Sequence, residues 1–164
     1  MGPTLAGFST FIYSVMGITT AVLPPTSPYI AFAYNVALNT VNLQLQAVCA
    51  PKVDPTLPSI YALAVYNLAA DRLVNYAPDV ADAPNVPGSN PPAPYFAYTR
   101  TKFNLLGFVG GVIQSTSDEG TSESMVVPDF AQALTMADLN TLQTPWGRRY
   151  LGLAQSAGTL WGIS

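Results

Sequence analysis

The sequence predicts a mainly α protein, a helical bundle with one protruding β-hairpin and a long Pro-rich loop. Three observations carry that expectation. Over most of the chain apolar residues recur at steps of three and four, the spacing of one helix face. One stretch, GGVIQSTSDEGTSESMVV from Gly110 to Val127, alternates instead with a period of two around Asp118-Glu119-Gly120, which reads as a hairpin closed by an acidic turn. The segment from Pro78 to Pro94 holds six prolines, Gly88, Ser89 and two asparagines, so it reads as a loop. With 164 residues the chain is long enough for a single cored domain, 1–164, with an N-terminal helical segment, the loop 78–94, the hairpin 110–127 and a tail 156–164.

The elements follow in order. Leu5, Phe8, Phe11, Ile12 and Val15 predict a helix from Thr4 to about Ile18. After LPPTSP, Ser27 is a suitable N-cap and Pro28 suits the first helical position, so a second helix is expected from Pro28 to about Cys49. Ile30, Tyr34, Ala37, Leu38, Val41, Leu45 and Val48 are its core candidates. Asn35, Asn39, Asn42 and Gln46 line its other face without a charge. Such an amide stripe can hydrogen-bond a neighbouring subunit without burying charge, or it can be a weakly charged exposed face. APKVDPTLPS is a linker. The helix from Ser59 to about Tyr76 has Ile60, Leu63, Ala64, Leu68 and Leu73 as its core face and Asn67, Asp71 and Asn75 as its polar face. Asp71 and Arg72 do not face each other on a helix and read as solvated or interface charges.

After the Pro-rich loop, an arm or contact loop by its length, a short helix or turn is expected around Tyr95 to Leu106, then strands at about Gly111–Ser117 and Thr121–Val127. Thr135 and Asp138 form a capping-box pattern before a short helix to Gln143. Thr144-Pro145 opens a last helix to about Gln155, and the tail SAGTLWGIS is apolar and uncharged.

Charged residues make up 9 % of the chain, against about 25 % in ordinary soluble domains. Residues 1–51 carry none; the first charge is Lys52. So little charge implies that much of the surface meets other protein. A net charge of −3 and scattered basic residues argue against a nucleic-acid patch. There is no histidine, which removes Ser-His-Asp and Cys-His arrangements, and Cys49 is alone, so no disulfide or zinc site forms within the chain. GFVGG lacks the Lys and Ser/Thr of a phosphate loop. Asp118, Glu119 and Glu123 are the acidic cluster; on a hairpin tip they read as solvating charges rather than acid–base or metal groups. No enzyme and no cofactor is expected. Leu5 to Leu23 is uncharged and long enough to span a bilayer, but it carries Ser9, Thr10, Ser14, Thr19, Thr20 and two glycines without basic flanks. A helix buried against protein is expected there, with a membrane anchor at 5–23 as the alternative.

LLGFVGGVIQSTSDEGTSESMVV, a spacer, and LNTLQTPWGRRYLGLAQ form an ordered pair of segments. Together with the helix at YALAVYNLAADRL they resemble tailed-bacteriophage head-to-tail connector proteins, also called adaptor or head-completion proteins. The likeness covers roughly Ser59 to Gln155. Its motif falls on Thr144, Pro145, Trp146, Gly147 and Tyr150, with Trp146 where the family more often has Tyr. The Pro-rich loop has no counterpart. The resemblance implies a virion protein of the neck, assembled in the host cytoplasm into a ring of about twelve copies beneath the portal. It would join the portal protein above to a tail or stopper protein below and continue the DNA channel without sequence-specific binding. It implies a portal-docking tail, here Leu160, Trp161, Ile163 and Ser164. The hairpin with Asp118, Glu119 and Glu123 would then reach a neighbour or line the channel, and Asn35, Asn39, Asn42 and Gln46 would serve a subunit interface. A β-rich stopper or tail terminator of the same neck is the nearest alternative.

Overall fold

The computed structural model describes residues 2–41, 58–105, 115–118, 121–124 and 140–156. Within them the protein is mainly helical. The helices are α1 (Leu5–Ser14), α2 (Pro28–Thr40), α3 (Ile60–Tyr76), α4 (Tyr95–Lys102) and α5 (Pro145–Ser156).

α3 is the axis of the bundle, packed chiefly against α2 and α5, with α1 and α4 also touching it. Its start is set by Ser59, whose Oγ accepts the Ala62 N–H at 3.0 Å. Ala62, Ala64, Ala69 and Ala70 are small enough to let neighbouring backbones approach, and they are buried together with Tyr61, Val65, Leu68, Leu73 and Val74. A helix buried nearly all round sits at the centre of a bundle rather than on its surface. Two sequence expectations change accordingly. Ile60, expected in the core, is 47 % exposed at the first turn. Asn67 and Asp71, expected on a solvated or interface face, are buried, because α5 covers that side of α3.

α1 is capped by Thr4, whose Oγ1 accepts the Gly7 N–H at 3.0 Å. The Thr4 N–H in turn donates to the Tyr66 hydroxyl at 3.0 Å. A Cβ on Gly7 would lie 2.2 Å from that same hydroxyl oxygen, so glycine is what lets α1 lie against α3. Phe8 stacks between Tyr34 and Tyr66, with ring centroids 6.2 and 6.0 Å apart, and Phe11 lies 5.9 Å from Tyr66. This aromatic cluster joins α1, α2 and α3. α1 ends at Ser14, earlier than expected. The Ser9, Thr10 and Ser14 hydroxyls each donate to the carbonyl four residues back, a competition that weakens a helix. Gly17 then turns the chain at φ +70°. Leu5 and Val15, expected on the core face, are exposed, while Ile18, Val22 and Leu23 beyond the turn are buried. Among the described residues no helix is long and apolar enough to cross a membrane.

α2 begins at Pro28 as expected, although the Ser27 side chain makes no capping bond. It ends at Thr40 rather than near Cys49: Val41 is extended, at φ −74° and ψ 122°. The β-branched Val36, Thr40 and Val41 crowd the last turn, and the Thr40 hydroxyl donates to the Val36 carbonyl at 2.8 Å. Ile30, Ala33, Tyr34, Ala37 and Val41 are buried.

The Pro-rich loop contains no helix or strand. It folds back on itself through Val86 N–H to Ala93 carbonyl at 2.9 Å and through the Ser89 hydroxyl, which donates to the Val86 carbonyl and accepts the Ala93 N–H. Its two ends are joined reciprocally. Asp79 Oδ1 and Oδ2 accept the Phe96 and Ala97 N–H groups at 2.8 and 2.9 Å, capping α4. Arg100 on α4 donates from Nε to the Val74 carbonyl at 2.9 Å and from Nη2 to the Ala77 carbonyl, capping α3. Charge-assisted caps of this kind are strong relative to neutral ones. Replacing Asp79 by alanine should cost about 1–2 kcal/mol of stability, read as a lower urea midpoint at unchanged slope; an unaltered midpoint would show that the clasp contributes nothing.

Ser115–Asp118 (β1) and Thr121–Ser124 (β2) pair antiparallel, with Thr116 opposite Glu123 and Asp118 opposite Thr121. This pairing covers four residues on each side. It does not carry the longer, protruding hairpin expected over 110–127, most of which lies outside the described residues.

Candidate functional site

The motif residues at the start of α5 form a closed node on α3. Thr144 is fully buried. Its Oγ1 accepts the Gly147 N–H at 2.9 Å, the N-cap expected from the sequence, and donates to Asp71 Oδ1 at 2.6 Å. One hydroxyl thereby ends α5 and ties it to a residue 73 positions away. Pro145 occupies the first helical position. Trp146 meets Phe103 edge to face at 6.2 Å. Gly147 is buried against the helical turn before it: a Cβ there would lie 1.8 Å from the Thr141 carbonyl oxygen. Tyr150 packs on the core. Arg148 donates to the carbonyls of Leu142 and Gln143, bracing the same turn from outside.

Asp71 is a fully buried carboxylate. Its Oδ2 has no hydrogen-bond partner among the described residues, but Arg72 Nη1 lies 3.6 Å away, so the two neighbours do pair, against the expectation from helix spacing, because the long arginine side chain reaches back. Burial pushes the carboxyl up to about 6, against the opposing effects of the Thr144 hydrogen bond and the Arg72 charge. A carboxylate shifted in this way can mark a reactive site, but this one is sealed from solvent beneath α5, so here it serves the joint between two helices. Among the described residues no three His, Cys, Asp or Glu side chains are grouped to hold a metal ion.

Of the other expected site residues, the structure describes four. Asn35 and Asn39 are exposed on α2. Asn42, Gln46, Cys49, Glu119 and the tail residues Leu160, Trp161, Ile163 and Ser164 lie outside the described residues. Asp118 ends β1 and Glu123 lies within β2.

Two surface features were missed in the sequence. The first is an aromatic knob. Phe32 on α2 is 52 % exposed and Tyr76 at the end of α3 is 56 % exposed, and their rings meet edge to face at 6.1 Å. Tyr29 and Val80 are also exposed and line one shallow pocket beside them. Nearby, Asp79 has both oxygens engaged in capping, and Arg72, one turn before Tyr76, lies 3.6 Å from Asp71. The helical spacing held the signal: Phe32 falls outside the Ile30, Ala33, Tyr34, Ala37 face. The second is a groove of about 510 Å³ between α1 and α3, lined mainly by apolar groups of Phe11, Val15, Pro58, Leu63 and Tyr66. Asn67 lies in its wall with its Oδ1 lacking a hydrogen-bond partner among the described residues, and the exposed Arg149 of α5 stands at its rim.

Comparison of the chain with protein-family models, with curated proteins and with solved structures gives no match.

Proposed function

We propose that this chain is a structural subunit of a tailed-phage neck, a head-to-tail connector that assembles into a homo-oligomeric ring, of about twelve copies, between the portal and the tail. One observation supports it most directly: the helix face bearing Tyr29, Phe32, Asn35 and Asn39, with Tyr76 beside it, is exposed, aromatic and uncharged. Aromatic side chains are enriched and charges depleted at the centre of protein interfaces, and exposed apolar patches of this kind mark contact sites. The mainly helical fold agrees better with an adaptor than with a β-rich stopper or terminator. In this reading the tail residues Leu160, Trp161 and Ile163 dock on the portal, and Asp118, Glu119 and Glu123 lie toward a channel where like charge keeps DNA from adhering. The protein then resides in the virion neck and neither catalyses a reaction nor holds a cofactor.

Electron microscopy of the purified chain, alone and mixed with the portal from the same genome, tests this. Rings, or density added beneath the portal, are expected. A compact monomer that ignores the portal at high concentration overturns the reading.

A further inference from the structure

The knob and the groove lie on opposed parts of α3. Leu63 and Tyr76 are thirteen residues apart, about 20 Å along a helix. From Asn67 in the groove wall to Tyr76 is nine residues, which at about 100° per residue is half a turn away from the same side. The molecule thus presents a convex aromatic feature at one end and a concave apolar one at the other, facing different directions. Such a pair cannot close a two-fold dimer by meeting itself; two different surfaces joined head to tail generate a ring, or a helical filament if the rotation does not close.

The two surfaces also match in chemistry. The knob offers two aromatic rings, with Arg72 one turn before Tyr76 held 3.6 Å from Asp71, while the groove offers apolar walls and one rim cation, Arg149. A guanidinium over an aromatic face is a favourable cation–π pairing, strengthened when water is excluded. Aromatic anchors seated in a pocket, with polar groups around them, are the usual energetic centre of an interface. The amides Asn35 and Asn39 flank the knob on α2 and can serve as its polar rim.

We infer that the Phe32–Tyr76 knob of one copy seats in the α1–α3 groove of the next, with Arg149 of the receiving copy against the inserted rings. This rests on the ring assembly proposed above and assigns its repeating contact. The occupant is a second copy of this chain.

The test uses two full-length variants altered at exposed positions, so that the fold is retained: Phe32→Glu in the knob and Val15→Glu in the groove. Circular dichroism and melting temperature are checked against the unaltered chain. Each variant alone should stay monomeric in sedimentation where the unaltered chain associates. Mixed in equal amounts they should form a 1:1 dimer and nothing longer, since each retains one working surface. Arg149→Ala should weaken association at least fivefold, and Arg149→Lys should restore part of it. If the unaltered chain forms rings that both variants join normally, or if the mixed variants fail to pair, the knob-in-groove contact is wrong while the ring reading stands. If the unaltered chain never associates, alone or with the portal, both fall.

Discussion

Replacing Gly147 by alanine should destabilise the protein by about 3 kcal/mol, at the upper end of the cost of overpacking a core, whereas Gly152→Ala on the same helix should stabilise it by about 0.5–1 kcal/mol. At Gly147 the added methyl would sit 1.8 Å from the Thr141 carbonyl oxygen, 2.8 Å from its carbon and 2.9 Å from its Cγ2. Two of those obstacles are backbone, so no rotamer change relieves the clash. The first turn of α5 would have to lift, and with it the Thr144 hydroxyl that caps the helix and binds Asp71. At Gly152 nothing lies within 4 Å of the new methyl, and only the helix-propensity gain remains. Urea unfolding of the two variants reads the contrast directly. A Gly147→Ala protein as stable as the parent would mean that α5 is not seated on Thr141 as described. With total stabilities of about 5–15 kcal/mol typical of domains, the loss expected at Gly147 is a large share.

The second large effect is on pH. Asp71 goes from an ordinary value of 3.8 to about 6 on folding. Between those values the folded protein binds a proton that the unfolded chain has released. Stability therefore falls as pH rises from about 4 to 6, by about 3 kcal/mol at about 1.4 kcal/mol per pH unit, and stays at the lower level above that window. Ordinary surface carboxylates do not produce this loss, and paired ones produce the reverse. Asp71→Asn keeps the shape and an oxygen to accept the Thr144 hydroxyl but removes the titration. The difference in unfolding free energy between the parent and this variant, followed from pH 4 to 8, should carry the slope. A difference that is flat across this range would show that Asp71 is not buried as described. Thr144→Val is the companion variant: it strips Asp71 of its hydrogen bond and α5 of its cap, and should push the Asp71 carboxyl further up.

What the sequence shows and what it conceals divide along local and long-range causes. The start of α3 at Ser59, the start of α5 at Thr144-Pro145 and the irregular course of 78–94 follow from caps and prolines, which act within a few residues. The helical class follows from periodicity. The burial of Asn67 and Asp71 has a remote cause, since α5 reaches α3 from a segment more than seventy positions away, and a polar stripe on one helix looks the same whether water or another helix faces it. The ends of α1 at Ser14 and of α2 at Thr40 fall where hydroxyl and β-branched residues tip a marginal balance that hydrophobic spacing does not register. The motif at 144–150 was legible as a pattern; that its threonine and glycine serve a helix joint needed the partner residues in place.

The crossed caps of Asp79 and Arg100 have an architectural result. Both roots of the proline segment are anchored to helix ends by hydrogen bonds, so its ends hold their places independently of the length of the crest between them. Closing a longer span costs only slowly more as residues are added. The crest around Gly88, where the chain turns at φ +77°, is thus the place where added length disturbs the scaffold beneath it least.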